Sequence, residues 1–405
     1  MTRVLIPGDE LLKKARSVGQ YYGFTPFVAM AAERRGTRAA PPEAGAISTV
    51  PPPPPEALDP VGVVVAGLLA QCRKMGIALP PGSPPLFLWH SNLTPGRPTP
   101  KRAVVQFHAI GTERTLAEAV IIRALMALTR DLFHSEPVVR INSMGDRETR
   151  ARYVRELGTF FKRRAATLPE ECLIVAKKDA FAAAELAIAR ECAENLPSPT
   201  EYLSDASRKR FEDLLEYLEA TETPYELARD LMSRGTHWND TCFEIVLPAL
   251  PAPTEQTGLP ASAAVAPRRV AWGSRYNELA KHMFGQATGA MGAVLSIETS
   301  GSGTLARIPA GRTRFVFVHI GEEAKRLSLR LAEEFKHAHL PLTQDIGIES
   351  LTEQMRLAER RDPPYLLIMG RKEALEGTVL LRDRRTQEEL VLPVLGLTER
   401  LKSIA

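Results

Sequence analysis

Five cations near the end of the chain, Arg371, Lys372, Arg382, Arg384 and Arg385, are close enough in sequence to grip a polyanion. Each phosphate of such a partner needs a guanidinium or ammonium donor within hydrogen-bond reach. Glu373, Glu376, Asp383, Glu388 and Glu389 are interspersed, so the same stretch also reads as a solvated hairpin that pairs its own charges. A second basic stretch, VRINSMGDRETRARYVREL (139–157), opens as a strand, breaks, and continues as a helix. Its Arg147, Arg150, Arg152 and Arg155 alternate with Glu148 and Glu156 at i,i+4 spacing, the pattern of a solvated face. Tyr153, Val154, Leu157, Phe160 and Phe161 fall on one stripe and are expected to pack on a sheet. Ser143 and Asp146 are spaced as a capping box, with Asp where Glu or Gln is usual. This helix is therefore expected to be scaffold rather than a nucleic-acid surface.

The other chemistry-bearing residues are dispersed. Eight histidines lie on different elements, and none has an obvious acid or nucleophile partner in its own sequence neighbourhood. Four cysteines, Cys72, Cys172, Cys192 and Cys242, form no CxxC pair, which points to reduced thiols and argues against zinc. There is no phosphate-binding GxxxxGK[ST], no GxSxG elbow and no HExxH. Gly301-Ser302-Gly303 is too short for a phosphate loop and reads as a hinge.

The elements that position these residues follow from periodicity. A net charge of +4 over 405 residues tolerates a polyanionic partner without demanding one. The first residues lack a signal-peptide core, and no apolar run approaches a membrane span, so a cytoplasmic protein with no membrane partner is expected. A helix from residue 8 leads to a strand-like FTPFVAM, and five consecutive prolines, Pro51–Pro55, mark a linker over 35–60. An apolar helix at 61–75, strands at 86–89 and 102–111, and a helix with apolar spacing from Leu116 to Leu132 follow. Polar helices fill 165–230, with Ser204 placed to cap one of them. After residue 313 strands and helices alternate, the pattern of a small separate α/β domain.

At INSMGDRETRARYVREL the chain resembles class II histidyl-tRNA synthetases just past their second signature motif. The similarity is collinear. VVQFHAIGTE (104–113) resembles the family's QFHQ-x-G-V-E strand, NDTCFEIV (239–246) its N-x-T-V-F-E strand, and GSRYNELAKHMFG (273–285) its G-G-R-Y-D-x-L segment. PGDELLKKARSVGQYYGFTP resembles the opening helix before motif 1, and LIMGRKEALEGTVLLRDRRTQEE the anticodon-binding domain. The resemblance implies an α+β fold: a synthetase-like antiparallel sheet with flanking helices over 1–310, and an α/β anticodon-binding-like domain over 311–405. It also implies a homodimer joined through motif 1, and tRNA as a partner.

The residues that carry out adenylation in the family are altered here. Its motif 2 arginine falls on Thr94 or Pro95, and the glutamate two places on becomes Gly96 or Arg97. Its motif 3 arginine is Thr299, although Glu298 persists, and the second glycine is Ser296. The L-R-P-E-x-T stretch is ALDPVGVV, without arginine or glutamate. The arginine of R-G-L-D-Y-Y aligns with Ser233 or, with one deletion, Arg234, and the next positions carry Thr236 or His237 and Trp238. Gln106, Glu113, Arg275, Tyr276 and Glu298 are what the resemblance leaves of a substrate pocket.

Each lost phosphate contact costs on the order of 3–4 kcal/mol of transition-state stabilisation. The expectation is thus a degenerate, non-catalytic relative that binds tRNA or a partner, with no metal and no certain cofactor. In the alternative, a divergent histidine–tRNA ligase using ATP and Mg, Arg97, Lys101, Arg102 or Arg234 would replace the missing arginines. Ranked below both is the synthetase-like regulatory subunit of ATP phosphoribosyltransferase, which usually lacks the C-terminal domain.

Overall fold

The computed structural model describes residues 5–28, 30, 53, 58–77, 79–80, 82–233, 235–249, 267–301, 304–307 and 313–404. Most of the linker expected at 35–60, as well as Arg234, Ser302 and Gly303, lies outside them.

The N-terminal part runs β1 (Ile6–Pro7), α1 (Gly8–Tyr21), β2 (Thr25–Pro26), α2 (Pro60–Lys74), β3 (Leu86–Ser91), β4 (Arg102–Ile110) and α3 (Leu116–Phe133). It continues with β5 (Val138–Ser143), α4 (Arg147–Arg163), α5 (Glu170–Ala176), α6 (Ala180–Ala189), α7 (Asp205–Ala220) and β6 (Tyr225–Leu227). β7 (Asn239–Leu247), β8 (Arg268–Arg275), α8 (Asn277–Phe284) and β9 (Ala290–Ser300) complete it. Its nine-stranded sheet has the order β2-β3-β4-β9-β8-β7-β5-β6, with β1 pairing in parallel to the end of β9. The strands from β3 to β5 along this path are joined antiparallel.

Alternation divides this sheet into two faces. Val105, Phe107 and Ala109 of β4, with Ala293, Leu295 and Ile297 of β9, join α1 and α3 in the main core. Gln106 and His108 therefore point to the opposite face, where α2 and α8 lie with Leu88, Trp238, Tyr276 and Val294. Helix α2 covers that face because Gly62, Val65, Ala66, Leu69 and Cys72 recur at helical spacing and are buried.

The C-terminal part is a separate sheet domain: β10 (Phe315–His319), α9 (Glu322–His337), β11 (Leu342–Gln344), α10 (Leu351–Arg361), β12 (Tyr365–Met369), α11 (Arg371–Glu376), β13 (Thr378–Asp383), β14 (Glu389–Pro393) and α12 (Leu397–Ile404). Its order is β11-β10-β12-β13-β14, parallel for the first three strands and antiparallel through the hairpin. Helix α9 bolts the domain onto α3: Glu333 receives both Arg123 and Arg130, and Lys336 donates to Asp131 at 2.7 Å. Thus the large antiparallel-rich sheet with helices and the smaller α/β domain conform to the expected α+β class.

Two local expectations change. The cap of α4 is Asp146, whose carboxylate accepts the Thr149 amide at 2.8 Å, while Ser143 receives the Gly145 amide at 3.3 Å. Tyr153, Leu157 and Phe161 are buried, but mainly against α5 and α6 rather than flat on the sheet, and Val154 faces solvent. Arg147, Arg152 and Arg155 are exposed, with Arg152 paired to Glu148 one turn earlier, but Arg150 turns inward and lays its guanidinium 4.5 Å from the Phe181 ring centre. Ser204 caps α7, as its position suggests.

Candidate functional site

The face of the large sheet opposite α3 carries a buried polar chain. His108 Nδ1 lies 2.9 Å from the Tyr276 hydroxyl and His108 Nε2 lies 3.1 Å from Gln106 Oε1. Gln106 Oε1 can only accept, so Nε2 carries the imidazole proton and Nδ1 accepts from Tyr276. Burial holds the His108 pKa down to about 3, so the ring is neutral, and burial raises the Tyr276 phenol well above its ordinary value. The ring fits because residue 292 is glycine: a Cβ there would lie 2.3 Å from His108 Nδ1. With both ring nitrogens engaged inside the protein, His108 has no donor left for a ligand.

Helix α2 closes over this chain and is latched at its start. Asp59 caps it, accepting the Val61 and Gly62 amides at 2.9 and 2.8 Å. The other carboxylate oxygen receives Trp238 Nε1 and lies 3.4 Å from His237 Nε2. Burial pushes the Asp59 pKa up, but the adjacent His237 imidazole and the hydrogen bonds from Trp238 and the Gly62 amide outweigh it and hold it at about 2. Trp238 packs edge-on to Trp272 at 4.8 Å, so the latch continues into the sheet face. Close approach requires glycine here too: a Cβ on Gly62 would lie 2.7 Å from His237 Nε2. Asp59→Ala is expected to cost about 1–2 kcal/mol, a helix cap together with a buried indole donor, read from urea unfolding curves. A variant as stable as the parent would mean that the latch carries no load.

The residues singled out from the sequence separate into groups. Arg275 is fully buried and forks onto Glu118 of α3, Nη2 to Oε2 at 2.7 Å, while also donating to the Arg114 carbonyl at 3.0 Å. It clamps β8 to α3 and the turn after β4. Gln106 and Tyr276 come together through His108. Glu113 is exposed and lines a mixed-charge groove with Arg114, Lys209, Arg210, Tyr217 and Arg326, away from that chain.

Thr299, which the resemblance sets at the motif 3 arginine position, donates its hydroxyl to the Pro100 carbonyl, and its amide bonds to Lys101 O at 3.0 Å. The connection between β3 and β4 is a folded hairpin despite its prolines: Asn92 bonds Arg102 O at 3.1 Å and the Val104 amide at 2.8 Å. Arg97 and Lys101 are exposed in it, and the Arg97 carbonyl accepts the Leu305 amide at 3.0 Å. Arg102 stands on the same face as Gln106, opposite Glu298 in register, with Nε on Ser296 Oγ at 2.8 Å. About six residues of strand, on the order of 20 Å, separate it from His108. Among the described residues no group of three His, Cys, Asp or Glu side chains is placed to hold a metal ion, and no helix is long and apolar enough to cross a membrane.

Asp59, His108 and Glu118 were not expected to matter. For His108 the sequence does carry a signal: Q-x-H on a strand sets both side chains on one face. Asp59 has only the weaker signal of an acidic residue before a proline-started helix.

In the C-terminal domain the basic cluster divides. Arg382 pairs with Glu389 across the hairpin at 2.5 Å, and Arg384 with Asp362 at 2.5 Å. Arg371 and Lys372 on α11 and Arg385 at the hairpin tip are exposed.

Residues 314–404 match the family model described as an anticodon binding domain. Over 310 residues, 74% of this chain and 70% of the relative, the chain is 28% identical to a histidine–tRNA ligase of Geobacillus sp. (strain WCH70). Over 295 residues, 70% of this chain and 67% of the relative, it is 26% identical to the histidine–tRNA ligase of Fervidobacterium nodosum. Among solved structures, apo histidyl-tRNA synthetase of S. aureus aligns over 83% of this chain and 81% of its own, at 20% identity and a TM-score of 0.42.

Proposed function

The chain belongs to the class II histidyl-tRNA synthetase-like family, and on that premise we propose that it is a non-catalytic member, acting by binding tRNA or a protein partner. One observation supports the reading. The sheet face that carries Gln106 and Tyr276, which the resemblance assigns to a substrate pocket, is covered by α2 and Trp238, and Gln106, His108 and Tyr276 bond one another there. The positions where the family holds ATP phosphates with arginine carry Thr299 and Thr94 or Pro95, and neither a hydroxyl nor a proline replaces a bidentate guanidinium. On this reading residues 1–310 are a synthetase-like scaffold, a cytoplasmic homodimer joined through motif 1, and 311–405 the RNA-facing unit.

The rival reading, a divergent histidine–tRNA ligase using ATP and Mg, has one observation in its favour: Arg102 stands exposed on the same sheet face. Arg97 and Lys101 in the neighbouring loop would join it there.

Binding is tested by filter retention of bulk tRNA across a salt series. Affinity is expected to fall steeply as salt rises, and Arg371→Ala, Lys372→Ala and Arg385→Ala together to lower the slope of log K against log salt by about 2–3, close to one per lost phosphate contact. No retention at low salt would remove tRNA and leave a protein partner. An unchanged slope would move the RNA surface elsewhere.

A further inference from the structure

We propose that Cys172 and Cys192 form a reversible dithiol–disulfide site in the helical insertion, oxidised by hydroperoxides. The two cysteines are far apart on any sequence motif, and the fold brings them together. Cys172 lies in the first turn of α5, and Cys192 two residues beyond the C-cap of α6. The short Lys177–Asp179 turn sends α6 back along α5, so the start of one helix sits beside the end of the other. An ion pair marks that juxtaposition: Arg190 Nε lies 2.8 Å from Glu171 Oε1 and Nη2 3.1 Å from Oε2. Glu171 is the residue before Cys172, and Arg190 is two before Cys192.

Both cysteines are free thiols and both belong to the same small core, which holds α4, α5 and α6 together. Their exposures differ in the way a peroxidatic and a resolving thiol require. Cys172 is fully buried, and Cys192 is half-buried, with Sγ 3.4 Å from the Ala187 carbonyl. Burial, with the adjacent Cys192 thiol, pushes the Cys172 pKa up, so Cys172 reacts poorly with oxidants in solution. Cys72 is buried in a different core, and Cys242, on β7 at the edge of this one, is fully buried with its thiol directed towards the Leu231 carbonyl.

The reaction balances in two steps. The Cys192 thiolate attacks one peroxide oxygen, the O–O bond breaks, and water from hydrogen peroxide, or the alcohol from an alkyl hydroperoxide, leaves after protonation, giving a sulfenic acid at Cys192. Cys172 then attacks that sulfur, the S–O bond breaks, water leaves, and the S–S bond forms. Two thiols supply two electrons and the peroxide accepts them. A small dithiol reverses the step by exchange. The product closes the loop from 172 to 192 and ties the start of α5 to the end of α6, adding a covalent link to the packing and the Arg190–Glu171 pair there.

The test is peptide mapping of the full chain after one equivalent of hydrogen peroxide, with remaining thiols alkylated. Trypsin cuts after Arg164, Lys177, Arg190 and Arg208, releasing 165–177 and 191–208, each with one of the two cysteines. The expected product is these two peptides joined, lighter than their sum by two hydrogens, and separated again by dithiothreitol. Cys192→Ser should leave Cys172 alkylatable and unoxidised. Cys172→Ser should leave Cys192 as a sulfenic acid that dimedone traps, and a circular dichroism spectrum checks that each variant is folded. The proposal is overturned if the wild-type protein accumulates dimedone-reactive Cys192 without the joined peptides. It is equally overturned if both thiols stay alkylatable while peroxide is consumed elsewhere.

Discussion

Replacing Arg275 with leucine is expected to lower the unfolding free energy by about 3–5 kcal/mol, the usual cost of leaving one partner of a buried ion pair uncompensated. Both side chains of the Arg275–Glu118 pair are fully buried. The guanidinium also covers the carbonyls of Thr112 and Arg114, which would lose their donor. Removing both charges, Arg275→Leu with Glu118→Leu, is expected to restore most of the loss, since the remaining deficit is only those two carbonyl bonds. Urea unfolding of the three proteins, followed by tryptophan fluorescence, separates the cases. If the double variant is no more stable than the single, the pair is not the reason for the loss. If the single variant unfolds like the parent, Arg275 is not the clamp that the geometry makes it.

The second large effect is on pH. Burial lowers His108 to about 3, and burial together with the Lys325 ammonium lowers His319 to about 4. In the unfolded chain each returns to about 6.5. Below that value the unfolded state takes up protons that the folded state refuses, so stability is complete above pH 6.5 and falls as pH drops towards the folded values. By pH 5 each histidine has removed about 2 kcal/mol relative to pH 7, at about 1.4 kcal/mol per pH unit below 6.5. Together they remove about 4 kcal/mol. Denaturant titrations at pH 7 and pH 5 should show that difference in the parent. His108→Gln and His319→Leu should each show about half of it. A pH-independent midpoint would mean that these rings are solvated or already charged in the fold.

What the sequence disclosed and what it withheld differ by range. The helices and strands came from local periodicity, and the family from short collinear matches, so both were legible residue by residue. Ser204 as a cap was read from its own neighbourhood. The cap of α4 was misread by one motif, because Ser143 and Asp146 are both good acceptors and only the backbone decides which one faces the helix. The features that define the site are non-local. Asp59 meets Trp238 across 179 residues, and Arg275 meets Glu118 across 157. Helix α2 was legible as an amphipathic helix, but its period says only that it has an apolar face. That this face lies over Gln106, His108 and Tyr276 depends on the sheet order, which pairs β4 with β9 and β9 with β8. Arg275 illustrates the same limit: the resemblance marked it as a pocket residue, and its burial against α3 makes it a clamp.

On the function proposed above, a synthetase-like fold persists here without adenylation, and α2 covers the face that the resemblance assigns to substrate. Histidine-dependent exchange of pyrophosphate into ATP, in the presence of Mg, tests that claim directly. The account predicts exchange no greater than that of a heat-inactivated control, with or without tRNA. Clear histidine-dependent exchange, abolished by Arg102→Ala, would contradict it and identify a working ligase.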